Sequence, residues 1–233
     1  MDRLLTRTFD LVVGGLGAIL TAPLVLTLMV LIRLESPGDP VYTQIRVGRD
    51  GVPFRIYKLR TMVSGAEFQG AGLAIAEGDS RITRLGQLLR RTSLDELPNL
   101  WNVVRGEMSI IGPRPTLQHQ VDAYTERQRG RLAVKPGITG WAQVNGRASL
   151  PWPERIELDL WYVEHRSLRL DLEILRRTVA QVRAGSGIYK GEAGGWSPSP
   201  PPGAEAESAP TYSAPKAKGE QPERISPGPN ELM

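Results

Sequence analysis

LVVGGLGAILTAPLVLTLMVLI, residues 11–32, decides how this chain must fold. Its 22 residues between Asp10 and Arg33 carry no charge, and as helix they reach across a bilayer. A cleavable signal peptide competes, because Arg3 and Arg7 precede the run. The stretch is too long for an ordinary signal core, and no small-x-small site stands before the polar sequence that follows. A buried core helix is the third reading. Pro23, at the midpoint, removes one backbone hydrogen bond and kinks or breaks the helix. In lipid the freed carbonyl needs another donor, and Thr21 is the nearby candidate. Arginine on both flanks (Arg3 and Arg7 before, Arg33, Arg46 and Arg49 after) favours neither spanning orientation. The reading adopted over a straight span is a hairpin, a helix with its membrane break at Pro23 that enters and leaves by one face.

Composition bounds the rest. Residues 34–191 suffice for one domain of ordinary size. There is no cysteine, which excludes disulfides and thiolate metal sites and fits a reducing compartment. With His119 and His165 as the two histidines, a histidine-rich zinc site is not expected. Residues 192–233 hold 9 of the 19 prolines and few large apolar residues, so a disordered Pro-rich tail is expected there. Residues 1–191 carry 26 basic against 19 acidic side chains. A basic body beside a membrane segment points to anionic lipid or phosphorylated ligands. Nucleic acid is not expected as a partner, because interleaved surface aromatics and a basic recognition helix are missing.

Residues 41–47 and 53–59 alternate in polarity about GRDG, a hairpin signal. Residues 64–79 read as a polar, glycine-rich loop. Ile82, Leu85, Leu88 and Leu89 recur at helical spacing among Arg81, Arg84, Arg90 and Arg91. Such a basic amphipathic helix can lie on a membrane or simply show a solvated face. Leu97, Leu100, Trp101 and Val104 mark another helix, and 153–183 reads as mostly helical, with Trp161 and Tyr162 as interface anchors. The expected fold class is mixed α/β, mainly helical. It has a membrane-embedded segment (1–33), one cytoplasmic domain (34–191) with amphipathic interfacial helices, and the tail.

Residues 93–115, SLDELPNLWNVVRGEMSIIGPRP, carry the candidate chemistry. Asp95 and Glu96 offer a nucleophile or metal ligand with an acid/base neighbour, and Arg105 and Arg114 offer a grip on phosphate. Locally, a structural account competes. Ser93 and Glu96 fit a capping box, and acidic residues in a first turn complement the helix dipole. A carboxylate held there also stays ionised, so cap and catalyst are compatible. KPGITGWAQVNGR, residues 135–147, joins Lys135, Asn145 and Arg147 through glycines that can bring backbone N–H groups to a phosphate or nucleobase.

These blocks, with SPGDPVYTQIRVGRDGVPFRIYKLRTM (36–62) and LDLWYVEHRS (158–167), lie in one order from about Arg3 to Tyr189. In that order they resemble the bacterial sugar transferase family, the monotopic polyprenyl-phosphate phosphoglycosyl transferases. The resemblance implies transfer of a sugar phosphate from a UDP-sugar to a polyprenyl (undecaprenyl) phosphate, releasing UMP and beginning the assembly of a surface glycan. It implies Asp95 as nucleophile, Glu96 as its dyad partner and Mg²⁺ held at Asp95. Arg114 resembles the family's phosphate-binding arginine, Lys58 and Arg60 its basic strand-end residues, and Asp159 and Tyr162 a supporting element. The implied location is the bacterial inner membrane, with the domain on its cytoplasmic face. Ala22 stands where members often carry serine before the proline, and Leu59 where phenylalanine is common. A catalytically inactive membrane scaffold is the alternative from another class, and direct transfer with Glu96 as general base is the rival enzyme. Sugar identity and oligomeric state are not legible.

Overall fold

The computed structural model describes residues 3–68, 78–146 and 149–184. Helix α1 (Arg3–Glu35) runs unbroken through Pro23, so the expected membrane break is not a break in the helix. Pro23 still leaves the Ile19 carbonyl without its intrahelical donor. The Thr21 hydroxyl does not supply one, because it donates to the Gly17 carbonyl at 2.7 Å.

One stripe of α1 faces the body. Asp10, Leu28 and Ile32 are buried. At Gly14 a β-carbon would lie 2.8 Å from Val103 Cγ1, and at Gly17 3.3 Å from Leu100 Cδ1, so both glycines admit close packing. Leu28 and Ile32 pack with Leu59 and Leu89, and burying each of the latter two contributes roughly 1.5–3 kcal/mol. The opposite face bears exposed Leu16, Ile19, Leu20, Leu26 and Val30. Two polar contacts fix the N-terminal end. Arg7 donates to the Val103 and Val104 carbonyls, at 2.7 Å each. Asp10 accepts from Ser109 Oγ at 2.8 Å and the Ile110 N–H at 2.9 Å.

Strands β1 (Val41–Val47) and β2 (Pro53–Leu59) form the expected antiparallel hairpin, Val41 opposite Leu59 and Val47 opposite Pro53. Asp50 (φ 58°) and Gly51 (φ 80°) turn the chain between them. Helix α2 (Arg84–Thr92) opens on Thr83, whose side chain accepts from the Gly86 N–H. It buries Leu89, half-buries Leu85 and leaves Leu88 exposed. Arg81 precedes the helix and pairs with Asp79 at 2.6 Å.

A 3-10 turn (Leu94–Asn99) leads into α3 (Leu100–Arg105). The buried side chains here are Asn99, Asn102 and Val103, while Trp101 is 54% exposed. The expected apolar face is thus displaced, because two amides take the inner positions. Asn99 Oδ1 accepts from the Tyr57 N–H at 3.1 Å, and Asn102 Nδ2 donates to the Arg55 carbonyl at 2.7 Å. They satisfy outward-facing groups of edge strand β2 that would otherwise be buried unpaired.

Strand β3 (Ser109–Ile111) pairs in parallel with β4 (Gly137–Thr139). Between them lie short helices α4 (Gln118–Asp122) and α5 (Glu126–Arg129), and α6 (Trp141–Val144) follows β4. Residues 153–183 are mostly helical, as expected, in two helices, α7 (Trp152–His165) and α8 (Leu168–Ala184). They part at Arg166, and the Ser167 hydroxyl accepts from the Leu170 N–H to start α8. The largest core cluster joins Phe54, Ile56, Val103, Met108, Trp141, Tyr162 and Ile174. Trp161 and Tyr162, expected as interface anchors, pack against the body. Trp161 stacks between Trp141 and His165, and the fully buried Tyr162 donates to Asp171. Most of the expected loop at 64–79, and the tail, lie outside the described residues.

Candidate active site

The acidic pair sits where α2 gives way to the 3-10 turn. Ser93 adopts a left-handed conformation (φ 57°) and closes α2 as its C-cap, making no side-chain cap bond to the turn that follows. The expected capping box is therefore absent, and Glu96 is released from reaching back. Its Oε1 instead accepts from Lys58 Nζ at 2.7 Å and from Arg114 Nη2 at 2.9 Å. Lys58 comes from the end of β2 and Arg114 from the turn after β3, so three segments distant in sequence meet at one oxygen. The Lys58 and Glu96 side chains are 19% and 18% exposed, and Arg114 is 51% exposed.

The electrostatics separate the two acids. Burial alone would raise Glu96, but Arg114 and then Lys58 outweigh it and hold the carboxyl well below its ordinary range. Burial pushes Asp95 up, against Lys58 and with the repulsion of Glu96. Among the described residues no donor hydrogen-bonds to the Asp95 carboxylate. Burial also pushes the Lys58 ammonium down, with Glu96 opposing. Glu96 is thus a counter-ion whose Oε1 receives two cations, and Asp95 is an acid whose oxygens remain available among the described residues.

Two further arginines border the pair, neither placed there by motif reading. Arg90 donates to Thr61 Oγ1 at 2.8 Å and its charge acts on Asp95. Arg46, lowered to about 10 by burial and then by Arg114, donates to the Pro115 carbonyl at 3.3 Å. Arg46 lies on β1, where a charge facing inward breaks the alternation expected of a plain hairpin.

Other expected binding residues are placed elsewhere. Arg60 is buried and donates to the carbonyls of Ile32, Ser36 and Pro37, tying down the end of α1. Those contacts commit both terminal nitrogens of its guanidinium to the fold. Arg105 is exposed beside Glu107 at 3.4 Å. Lys135 has Arg7, Asp10 and Arg49 as charge neighbours, and burial pushes its ammonium down. Asn145 bridges the Trp141 carbonyl and Arg177. Asp159 is buried against Arg131, at 2.6 Å, and Tyr162 against Asp171. Arg147 lies outside the described residues.

The glycines of 135–147 also have a different use from the one expected. A β-carbon on Gly112 would strike the Lys135 carbonyl, one on Gly137 the Gly112 nitrogen, and one on Gly140 the Gly112 carbonyl. The Gly137 N–H donates to Pro113 and the Gly112 N–H to Thr139, at 2.9 Å each. These glycines let two backbones touch; the N–H groups of Gly112 and Gly137 are already used within the fold.

For a metal, no group of three acidic or histidine ligands occurs among the described residues. The Asp95 carboxylate nevertheless suits Mg²⁺. It is a hard oxygen donor without a hydrogen-bonded partner, and Mg²⁺ commonly takes one or two carboxylates and completes its shell with water and substrate phosphates.

A family model described as bacterial sugar transferase matches residues 1–185. The sugar transferase EpsL of Bacillus subtilis is 42% identical over 187 residues, covering 80% of this chain and 91% of its own length. A UDP-glucose:undecaprenyl-phosphate glucose-1-phosphate transferase of Caulobacter vibrioides is 42% identical over 192 residues, covering 78% of this chain and 71% of its own. One of the same description from Escherichia coli is 40% identical over 187 residues, 77% of this chain and 40% of its own length. The chain thus spans nearly all of one relative and less than half of another.

Proposed function

The chain belongs to the bacterial sugar transferase family, and on that footing we propose that it moves a sugar 1-phosphate from a UDP-sugar to a polyprenyl phosphate, with Asp95 as nucleophile. The relatives' names give undecaprenyl phosphate as acceptor and glucose, galactose or N-acetylgalactosamine as sugars. One observation carries the assignment within the acidic pair. Glu96 is committed to Lys58 and Arg114, whereas Asp95 has no hydrogen-bonded partner among the described residues.

The reaction is two displacements. An ionised Asp95 oxygen bonds to the β-phosphorus of the UDP-sugar while the bond from that phosphorus to the bridging oxygen breaks. The electron pair leaves with UMP, and the phosphosugar stays on Asp95. An oxygen of the lipid phosphate then bonds to the same phosphorus, and the Asp95 oxygen departs as carboxylate, leaving polyprenyl diphosphate sugar. Arg114, Lys58 and Arg90 surround the acid with positive charge that opposes charge gathering on the equatorial oxygens. Glu96 holds Lys58 and Arg114 in that arrangement. Mg²⁺, held by Asp95 and the donor's own phosphates, would add Lewis-acid neutralisation when bound. Two steps let a soluble nucleotide and a membrane lipid use one site in turn.

The same reading places the domain (34–191) on the cytoplasmic face of the inner membrane, with both ends of α1 on that side. Asp10 and Ile32 stand about 33 Å apart along the helix axis, from the rise per residue. Both are buried. A helix crossing the bilayer would carry one of those ends away from the body.

The test is single turnover. With UDP-sugar and Mg²⁺ but no lipid acceptor, the enzyme should release at most one equivalent of UMP and gain one phosphosugar in mass. Asp95→Asn should lose both signals. An adduct mapped to another residue, or normal turnover in Asp95→Asn, overturns the covalent assignment. Continued absence of UMP release across a UDP-sugar panel would favour the inactive scaffold.

A further inference from the structure

The turn that presents Arg114 is held from behind by its carbonyls. Pro113 accepts from the Gly137 N–H at 2.9 Å, Arg114 from Arg131 Nη2 at 2.8 Å, Pro115 from Arg46 Nη1 at 3.3 Å and Thr116 from the Val47 N–H at 2.9 Å. Three of these donors come from strands of the two sheets, two as backbone (Gly137 on β4, Val47 on β1) and one as the Arg46 side chain on β1. The fourth, on the residue that touches Glu96, is a buried guanidinium. The Arg131 side chain is 4% exposed, and Asp159, its partner, is 1% exposed. Arg131 Nε donates to Asp159 Oδ2 at 2.7 Å and Nη1 to Tyr124 Oη at 2.6 Å. These two anchors fix the guanidinium plane and aim Nη2 at Arg114.

Such a pair is not accounted for by stability. Removing two charges from water costs more than a well-packed apolar pair of the same volume would, and a buried ion pair commonly breaks even or worse. What it supplies is orientation. A planar fork with two donors already committed can hold a third acceptor in one direction.

We propose that Arg131, oriented by Asp159 and Tyr124, is a positioning residue that fixes the Arg114 backbone so that its guanidinium lies on Glu96 and on the donor's diphosphate. This rests on the reading of Arg114 as a phosphate-binding residue. It gives Arg131 a task that motif reading did not, and it gives the supporting role of Asp159 a definite object, the Arg131 guanidinium. The line of contact runs Asp159–Arg131–Arg114–Glu96, from helix α7 to the acidic pair.

A double-mutant cycle on the full-length protein in detergent tests it, using UDP as the probe and titration calorimetry as the readout. Arg131→Met keeps length and apolar volume but removes every donor. It should weaken UDP binding about 10-fold in the parent, the scale of one charge-assisted hydrogen bond. In an Arg114→Ala background it should weaken binding less than about 2-fold, because the residue it positions has gone. Additive losses in the two backgrounds would overturn the brace and leave the Arg114 assignment standing. Unchanged UDP affinity in Arg114→Ala would overturn both. Should Arg131→Met not fold, Asp159→Asn enters the same cycle; it keeps Arg131 but unfastens it, and the same non-additivity is required.

Discussion

Neutralising each member of the acidic pair should move stability in opposite directions. Glu96 Oε1 receives two cationic donors, and neither its side chain nor that of Lys58 is more than one-fifth exposed. Removing one partner of a buried ion pair costs about 3–5 kcal/mol. Because Arg114 is half-exposed and glutamine keeps an acceptor oxygen, the expected loss for Glu96→Gln is roughly 1–3 kcal/mol. In a body of this size each kcal/mol moves Tm by about 2–4 °C, so Glu96→Gln should melt roughly 2–12 °C lower. Asp95 differs, because its charge is penalised by burial and no hydrogen bond repays it. Asp95→Asn should leave Tm unchanged or raise it, by roughly 0.5–1 kcal/mol of stability, while abolishing UMP release. The pH dependence carries the same signs. The folded Asp95 titrates above its ordinary 3.8, so folding retains a proton that the unfolded chain has released. Its contribution therefore falls as pH climbs through that interval and stays unfavourable above it. Glu96 titrates below its ordinary 4.5, so its contribution is present above that pH and is lost as pH falls through the folded value. Melting curves from pH 3 to 8 on the parent and both variants, beside UMP release, measure all of this. If Asp95→Asn melts as far below the parent as Glu96→Gln, the division into free acid and counter-ion is wrong.

Three further outcomes follow from contacts outside the pair. Arg60→Met should destabilise the protein by roughly 1–3 kcal/mol, through carbonyls left unpaired at the end of α1, and leave UDP affinity unchanged; a large loss of affinity in a stable variant would restore Arg60 to the site. Gly112→Ala drives a methyl group into the Lys135 carbonyl and should cost about 1–3 kcal/mol or more, seen as a lower Tm or lost expression, whereas near-normal melting would refute the backbone packing. Cysteines placed singly at Asp2 and Asp39, in a chain with none of its own, should both resist an impermeant thiol reagent in intact cells; labelling of Asp2 alone would establish a spanning helix.

Whatever depends on neighbours along the chain could be read from the order of residues alone. The alternation about GRDG set both strands of the hairpin to the residue, because side-chain period and turn chemistry are local. The 22 uncharged residues settled a helix of membrane length, and the adjacent acids Asp95 and Glu96 pointed to the candidate site. Tertiary structure decided the parts in which distant segments meet. Ser93 looked like an N-cap, yet it closes the preceding helix, since only the packing of α2 against Leu59 fixes where that helix stops. Asn99 and Asn102 displaced the expected apolar face because β2 has backbone groups to satisfy, a demand written some forty residues away. Lys58 and Arg60 are indistinguishable as basic residues at a strand end. Residues of a strand point alternately to its two sides, so positions 58 and 60 share one, and the chain's course after Leu59 sends Lys58 to Glu96 and Arg60 to the end of α1. The same holds for Arg131, unremarkable in sequence and buried behind Arg114 in space. A charge has the same symbol wherever it stands, and its function depends on which partners the fold leaves within about 3 Å.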